Sequence, residues 1–408
     1  MNSIPLLIVE DNPIYAEILR QLLQSLGNDL QFEVHWVDNA EKAQAAIQQK
    51  PYELVLLDYR LPTADGLTVL AGFASLPEDR QPAVIMLTGM GREEIAVEAM
   101  KRGAKDYLSK DNLDTTSLLR AITSALERRR LEVELRRSAA ELRVRNAQLQ
   151  TDLNLAREIQ EAFLPHTYPV FPLGIPAAQT ALRFCHRYLP TTVLGGDFFD
   201  VFPVGEHKVG LLISDVMGHG VRAALITAIL RALAEELAPV AADPGRFLTE
   251  VNRRMLGILR QSRTPMFATA CYFVVDIRTG ESQFSIAGHP SPIQMQRSVR
   301  KVVPLTPPPG QAGPALGAFE DATFPVCPAT LVAGDTIILY TDGLVDVGGK
   351  DSQFLGEKWL LNTLRKDAAM PTDQIFDAVL ADAHAFATAP EFSDDVCLLG
   401  MDVIRVGQ

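Results

Sequence analysis

Between residues 113 and 163 the chain contains neither proline nor glycine. The stretch is rich in leucine, alanine, glutamate, arginine and glutamine, residues that lose little freedom in a helix, and it predicts one long helix. Its apolar residues recur every seven positions: Leu135, Leu142, Leu149, Ala156 and Phe163 in one row, with Ala139, Asn146, Leu153 and Gln160 in the other. Such a seam predicts a coiled coil. Asn146 would be the polar seam residue that fixes register and favours two strands, which makes a homodimer through residues 126–165 the expected assembly. The competing reading is a helix packed on a neighbouring domain. The arginines clustered between 128 and 145 read as a solvated helix surface, not as a nucleic-acid contact. Leu164-Pro165 ends the helix, since proline cannot continue it.

The two stretches flanking this helix differ in pattern. Residues 1–125 alternate short apolar runs (6–9, 32–37, 54–57, 83–87 and 106–108) with amphipathic stretches near 14–26, 40–49, 66–75 and 92–102. This predicts a five-stranded, parallel, doubly wound α/β sheet. Residues 166–408 carry apolar strand-like runs at 209–214, 267–276 and 335–343, separated by turns and two helical blocks. That is an α+β pattern with a large antiparallel component. The Pro/Gly-rich stretch 304–317 reads as a surface loop. The expected fold class is therefore multidomain: an α/β domain at 1–125, a helical coiled-coil linker at 126–165 and an α+β domain at 166–408.

Composition narrows the setting. The net charge of -12 argues against a nucleic-acid partner. The four cysteines, Cys185, Cys271, Cys327 and Cys397, form no CxxC pair, which points away from zinc or a disulfide framework and towards a reducing cytoplasm. The short apolar run near the start lacks a basic flank and reads as a buried strand, not a signal peptide. No stretch reaches the ~18–20 apolar residues that a membrane helix needs, so no membrane association is expected.

In the first domain the chemistry lies at strand ends. The first run ends in Glu10-Asp11, the third in Asp58, the fourth in Thr88, and Lys110 follows the fifth. In a parallel sheet these ends converge on one edge. Three carboxylates there make a hard oxygen site suited to Mg²⁺, and a lysine and a hydroxyl can hold a phosphoryl group beside it. The arrangement suits phosphoryl transfer onto a carboxylate, with Asp58 as acceptor. An acid after a strand is, taken singly, more often a helix cap. The segments VEDNP (9–13), LLDYRLPTADG (56–66), MLTG (86–89) and GAKDYLSKD (103–111) resemble the receiver domain of two-component response regulators. The resemblance implies that Glu10, Asp11, Asp58 and the backbone carbonyl of Arg60 bind Mg²⁺. It also makes Asp58 the phosphoacceptor, Thr88 the switch hydroxyl, Tyr107 the switch aromatic and Lys110 the phosphate partner. A sensor histidine kinase or phosphotransfer protein would be the donor. Asp111 departs from the family, in which proline often follows the lysine.

In the last domain the informative acids are Asp197 and Asp200 in LGGDFFD, Asp215 in SDVMGHG, Asp342 in YTDGL, and Asp394 and Asp395 in FSDDVCLL. Charges beside apolar strands are costly unless paired or metal-bound, and an oxygen-only set suits Mg²⁺ or Mn²⁺. Two bridged ions could activate a water for attack on a phosphate ester. Together with LAREIQEAFLP (155–165), AGHPSP (287–292) and ALGAF (315–319), these motifs resemble PPM-family metal-dependent phosphatases, in the bacterial branch that acts on partner-switching regulators. The resemblance implies a β-sandwich flanked by helices, and a regulatory helix at 221–238. It also implies two metal ions held by Asp197, Asp215, Asp342, Asp394 and the backbone carbonyl of Val216. Asp200, Asp395, His219 and His289 receive no role, and no residue is assigned to grip the substrate phosphate.

The expected function is a response regulator whose phosphorylation on Asp58 controls a metal-dependent phosphoserine/phosphothreonine phosphatase. Its implied substrate is a phosphorylated anti-sigma-factor antagonist of STAS type. The alternative is a non-catalytic, phosphatase-like adaptor. A nucleotide cyclase suggested by GGDFF would leave YTDGL and SDDV unexplained, and no helix-turn-helix pattern follows the first domain to support a DNA-binding output.

Overall fold

The computed structural model describes residues 3–26, 30–77, 80–89, 93–260, 265–350, 353–389 and 392–407. Residue 92, the expected start of the fourth helix, lies outside them. The chain forms two compact units, Met1–Gln148 and Leu149–Gln408. Among the described residues no helix is long and apolar enough to cross a membrane.

The first unit runs β1 (Ile4–Val9), α1 (Pro13–Ser25), β2 (Phe32–Val37), α2 (Ala40–Gln49), β3 (Leu54–Asp58), α3 (Gly66–Ala74), β4 (Ala83–Thr88), α4 (Glu93–Lys101) and β5 (Asp106–Ser109). The last helix, α5 (Thr115–Glu161), follows. The sheet order is β2-β1-β3-β4-β5, with every pairing parallel. Both faces are covered, so β3 and β4 are buried throughout. Leu7, Val9, Val55 and Leu57 meet α2 and α3 on one face. Leu6, Ile8, Leu54 and Leu56 meet α1 and the start of α5 on the other. Helix starts are set by side-chain caps: Asn12 Oδ1 accepts from Ile14 N, Asn39 from Lys42 N and Asp65 from Thr68 N. Each cap stabilises by roughly 1 kcal/mol.

Helix α5 buries Leu118, Ala121, Ile122 and Ala125 in the first unit's core. Past them Arg129 Nε donates to Gln81 O at 2.8 Å and Lys105 Nζ meets Glu132 at 2.5 Å. Further along, the seam leucines Leu135, Leu142 and Leu149 are 71%, 57% and 53% exposed. The far end of the seam departs from expectation. Gln160 is buried inside the second unit, where its carboxamide pairs with the backbone of Gly195. Phe163 lies beyond the helix, which stops at Glu161. A heptad row does not distinguish a partner helix from the chain's own body, and the satisfied amide of Gln160 makes its burial affordable.

The second unit is a sandwich of two antiparallel five-stranded sheets. Its strands are β6 (Leu182–Leu189), β7 (Asp197–Pro203), β8 (Lys208–Val216), β9 (Ala268–Asp276), β10 (Glu281–Ala287), β11 (Ile293–Gln296), β12 (Lys301–Pro304), β13 (Cys327–Thr330), β14 (Asp335–Tyr340) and β15 (Val396–Val403). The sheet orders are β13-β10-β9-β8-β7 and β12-β11-β14-β15-β6. Phe199, Leu211, Ile213, Phe273, Ile337 and Leu399 interdigitate between the sheets. The outer faces are covered by α6 (Val221–Glu236) and α7 (Pro244–Leu259) on one side, and by α8 (Gly356–Lys366) and α9 (Thr372–Phe386) on the other. These are the two helical blocks. The 304–317 stretch is less superficial than its composition implies. Gly313 exchanges backbone hydrogen bonds with the end of β10, and Leu316 is buried beside Ala268. A Cβ at Gly313 would stand 2.3 Å from Phe324, so this glycine serves a close approach.

Candidate functional site

Each unit gathers carboxylates at one edge. In the first, Glu10 follows β1 and Asp58 closes β3, the two adjacent strands on either side of the switch in strand order. Glu10 and Asp58 are buried, Asp11 is exposed, and one ligand oxygen from each lies within 4.8 Å of the others. Lys110 completes the group: its Nζ is 2.6 Å from Glu10 Oε2 and 2.9 Å from Asp58 Oδ2. Burial pushes both carboxyls above their ordinary range, and the Lys110 ammonium opposes it. Lys110 also lies over the Tyr15 ring at 4.6 Å. The three carboxylates fit a hard divalent cation by donor type and spacing. Thr88 is buried at the end of β4, and Tyr107 is 47% exposed on β5. Arg60 forms a short bridge with Asp65, and its backbone N–H serves the Asp58 carboxylate. The loop from Asp58 must double back tightly: a Cβ at Gly66 would be 2.5 Å from Asp58 O. The Asp111 departure is accommodated by a 3-10 turn over Lys110–Asn112.

In the second unit the acids come from both sheets. Asp197 opens β7 and pairs directly with Asp215 near the end of β8. Asp342 follows β14, and Asp394 precedes β15. Asp197 is 2% exposed. Burial, and then repulsion from Asp215, raise its carboxyl well above the ordinary value. Asp215 is pushed up to about 7 by burial, with Asp342, Asp394 and Asp395 adding repulsion. Asp342 is raised by burial and by Asp346 and Asp394. Among the described residues, no lysine or arginine forms an ion pair with these three, and none is among the main groups acting on them. The acids are spread more widely than in the first unit: among the described residues only Glu10, Asp11 and Asp58 form a group within 4.8 Å. An oxygen-only set of this width, without an internal cation, fits two divalent ions sharing carboxylates. Val216 is buried, and its carbonyl would lie 2.8 Å from a Cβ at Gly196, so only glycine admits this approach.

The residues left without a role now separate. Asp395 is a clamp for the glycine loop: Oδ1 accepts from Thr191 N and Thr191 Oγ1, and Oδ2 from Gly196 N at 2.5 Å. Asp200 shares β7 with Asp197 but, three positions on, faces the helices. It forms an ion pair with Arg231 of α6 at 3.0 Å, and Val201 N donates to its Oδ1. The Arg231 approach lacks hydrogen-bond geometry, so Oδ2 accepts none. His219 is exposed. His289 is buried with Nδ1 2.8 Å from Thr269 Oγ1, and burial drives its imidazole down to about 3, hence neutral. Gln160 Nε2 donates to Gly195 O at 2.7 Å, its Oε1 accepts from Gly195 N at 3.1 Å, and Nε2 also reaches Thr227 Oγ1 of α6. Sequence reasoning missed Gln160, Thr341, whose buried hydroxyl donates to Asp197 Oδ2 at 2.7 Å, and Asp346, which adds repulsion on Asp342. Asp346 was findable, since it stands four residues after Asp342, about one helical turn.

Comparison with known proteins agrees with this division. The family "Response regulator receiver domain" matches residues 6–123, and "Stage II sporulation protein E (SpoIIE)" matches residues 205–404, a span that includes Asp215, Asp342 and Asp394. Phosphoserine phosphatase RsbP of Bacillus subtilis is 26% identical over 254 residues, 62% of this chain and 58% of that protein. Protein IcfG of Synechocystis is 26% identical over 275 residues, 61% of this chain and 41% of that protein. The chain thus spans about half the length of these relatives. The solved SiaA-PP2C domain of Pseudomonas aeruginosa superposes with a TM-score of 0.53 at 24% identity, covering 63% of this chain and 98% of that domain, which shows a shared fold. Sheet topology, acid placement and family matches agree: the chain joins a response-regulator receiver domain to a phosphatase domain of the SpoIIE, PPM type.

Proposed function

We propose that this chain is a phosphoserine/phosphothreonine protein phosphatase whose activity is set by phosphorylation of Asp58. One observation carries the reading: Asp197, Asp215, Asp342 and Asp394, drawn from two sheets, repel one another at one site, and among the described residues no basic group pairs with them. Two Mg²⁺ or Mn²⁺ ions held there, with the Val216 carbonyl, would lower the pKa of a bound water and polarise a phosphoryl oxygen. The chain's own part is positional. Asp395 holds the Thr191–Gly196 loop, and the sandwich fixes the acids on rigid strand ends. In the receiver, Glu10, Asp11, Asp58 and the Arg60 carbonyl would hold Mg²⁺. Lys110, already on Asp58, would stay with the phosphoryl group, and Thr88 and Tyr107 would respond to it. The donor would be a sensor histidine kinase or phosphotransfer protein. A phosphorylated anti-sigma-factor antagonist of STAS type is the proposed substrate, on the strength of the likeness to RsbP. The unpaired cysteines suit the cytoplasm.

We further propose homodimerisation through residues 126–165. The exposed leucines at 135, 142 and 149 support it, and the contact of Gln160 with Gly195 and Thr227 offers α5 a route to the glycine loop and α6. The test offers the full chain a phosphorylated STAS-type protein with Mn²⁺, with and without a small-molecule phosphodonor. Dephosphorylation should require Mn²⁺ and change rate when the donor is present, and Asp58→Asn should abolish that change. Leu142→Asp with Leu149→Asp should give a monomer in sedimentation and an unregulated rate. A donor response that survives Asp58→Asn, or hydrolysis indifferent to chelator, would reject the corresponding half.

A further inference from the structure

The segment YTDGL contains, beside Asp342, a residue whose side chain is wholly committed. Thr341 is fully buried at the junction between β14 and the turn that carries Asp342. Its hydroxyl donates to Asp197 Oδ2 at 2.7 Å and accepts from Cys397 N at 2.8 Å. Its own backbone N–H donates to Cys397 O at 3.1 Å. Asp197 opens β7 in one sheet, whereas β14 and β15 belong to the other. One hydroxyl therefore crosses the sandwich and ties together three acid-bearing segments: Asp197 itself, the Asp342 turn, and the strand that begins two residues after Asp394. A hydroxyl has one proton to give. Here it goes to Asp197, and among the described residues this is the one hydrogen-bond donor to that carboxylate.

We propose that Thr341 is a positioning residue that orients the Asp197 carboxylate for metal binding. By engaging Oδ2 it fixes the rotation of the carboxylate and leaves Oδ1 to a cation. This is the role outer partners play around metal-binding carboxylates, where their loss weakens metal affinity by roughly 10–100-fold. Valine has threonine's shape without the hydroxyl, and serine keeps the hydroxyl without the methyl, so the two variants separate packing from hydrogen bonding. The inference rests on Asp197 being a metal ligand, as proposed above.

The experiment is Mn²⁺ titration by calorimetry on the full chain, in an Asp11→Asn background that weakens the receiver's own cation site. Thr341→Val should weaken binding at the phosphatase site by at least about tenfold, while Thr341→Ser stays within about threefold of the parent. The dependence of phosphate-ester hydrolysis on Mn²⁺ should move in step, with kcat at saturating Mn²⁺ recovering further than the metal requirement does. Circular dichroism checks folding. If Thr341→Val does not fold, Thr341→Ala takes its place against Thr341→Ser. Equal Mn²⁺ affinity in the hydroxyl-free and serine variants overturns the proposal. Asp197→Asn tells the two failures apart. If it binds Mn²⁺ as the parent does, Asp197 is not a ligand and the premise falls. If it loses Mn²⁺ while the hydroxyl-free variants keep it, Thr341 alone is refuted.

Discussion

The receiver and phosphatase acids solve one electrostatic problem in opposite ways. Glu10 and Asp58 are buried together, but Lys110 stands between them within 3 Å of both. Asp197, Asp215 and Asp342 have no such cation among the described residues, and burial and mutual repulsion raise their carboxyls. A carboxylate cluster with its own ammonium is partly neutralised without metal, which would suit the phosphoacceptor role proposed for Asp58. A cluster without one, its carboxyls raised by burial and mutual repulsion, gains the most from a bound cation, which would suit the metal centre proposed above.

The sharpest way to break the comparison is substitution within the uncompensated set. Asp215→Asn or Asp342→Ala should lower phosphate-ester hydrolysis by at least about a hundredfold, the several kcal/mol expected when metal stabilisation of the transition state is removed. Labelling of Asp58 by a phosphodonor should be unchanged in the same proteins. Rates near the parent's in either variant would remove those residues from the site.

Metal should also stabilise the two units unequally. At about a hundred times its dissociation constant, a ligand that binds only the folded state adds about 2.7 kcal/mol. For a unit of this size that corresponds to roughly 5–10 °C in Tm. Scanning calorimetry with and without Mn²⁺ should show the phosphatase transition rising by such an amount and the receiver transition by less, because Lys110 already neutralises that site. Equal shifts would contradict the contrast drawn above.

The smallest effect concerns a compensated acid inside the uncompensated domain. Asp200 is 5% exposed, and burial raises its carboxyl while Arg231 opposes the rise. Arg231→Leu removes the opposition. Breaking a buried pair costs roughly 3–5 kcal/mol; the arginine side chain is 35% exposed, so solvent screening reduces this to about 1–3 kcal/mol. The sign with pH follows from proton binding. With the folded carboxyl titrating above the unfolded one, the folded state holds more protons between the two values, and stability falls as pH rises through that window. The variant's deficit should therefore be larger at pH 8 than at pH 5 in denaturant titrations. A deficit independent of pH would mean that Arg231 acts by packing alone.

Much of this was legible in the chain. Parallel strand ends announce where Glu10, Asp58 and Lys110 meet, because the topology leaves them one edge. The acids of the second domain were readable as a set, though not the division of labour among them. Strand periodicity alone separates Asp197 from Asp200, since three residues along a strand reverse the face. Thr341 was hidden because a hydroxyl before a turn has many uses, and only the second sheet reveals this one. Gln160 was read as a seam residue because its spacing fits one. Its true neighbours, Gly195 and Thr227, are 35 and 67 residues away, beyond the reach of any periodicity. Gly313 and Leu316 were masked by a loop-like composition.

The direct opposition of Asp197 and Asp215 across β7 and β8 bears on how such a domain can lose its chemistry. Like charges facing one another across a strand pair weaken a sheet, so the site is held against the preference of the fold that carries it. Exchanging Asp215, the less buried of the two, for lysine would place a cation opposite Asp197 and remove the repulsion without metal. The proposed metal set would be gone. A lineage that needed only the domain's grip on a partner would have a short mutational path from enzyme to inert binding module.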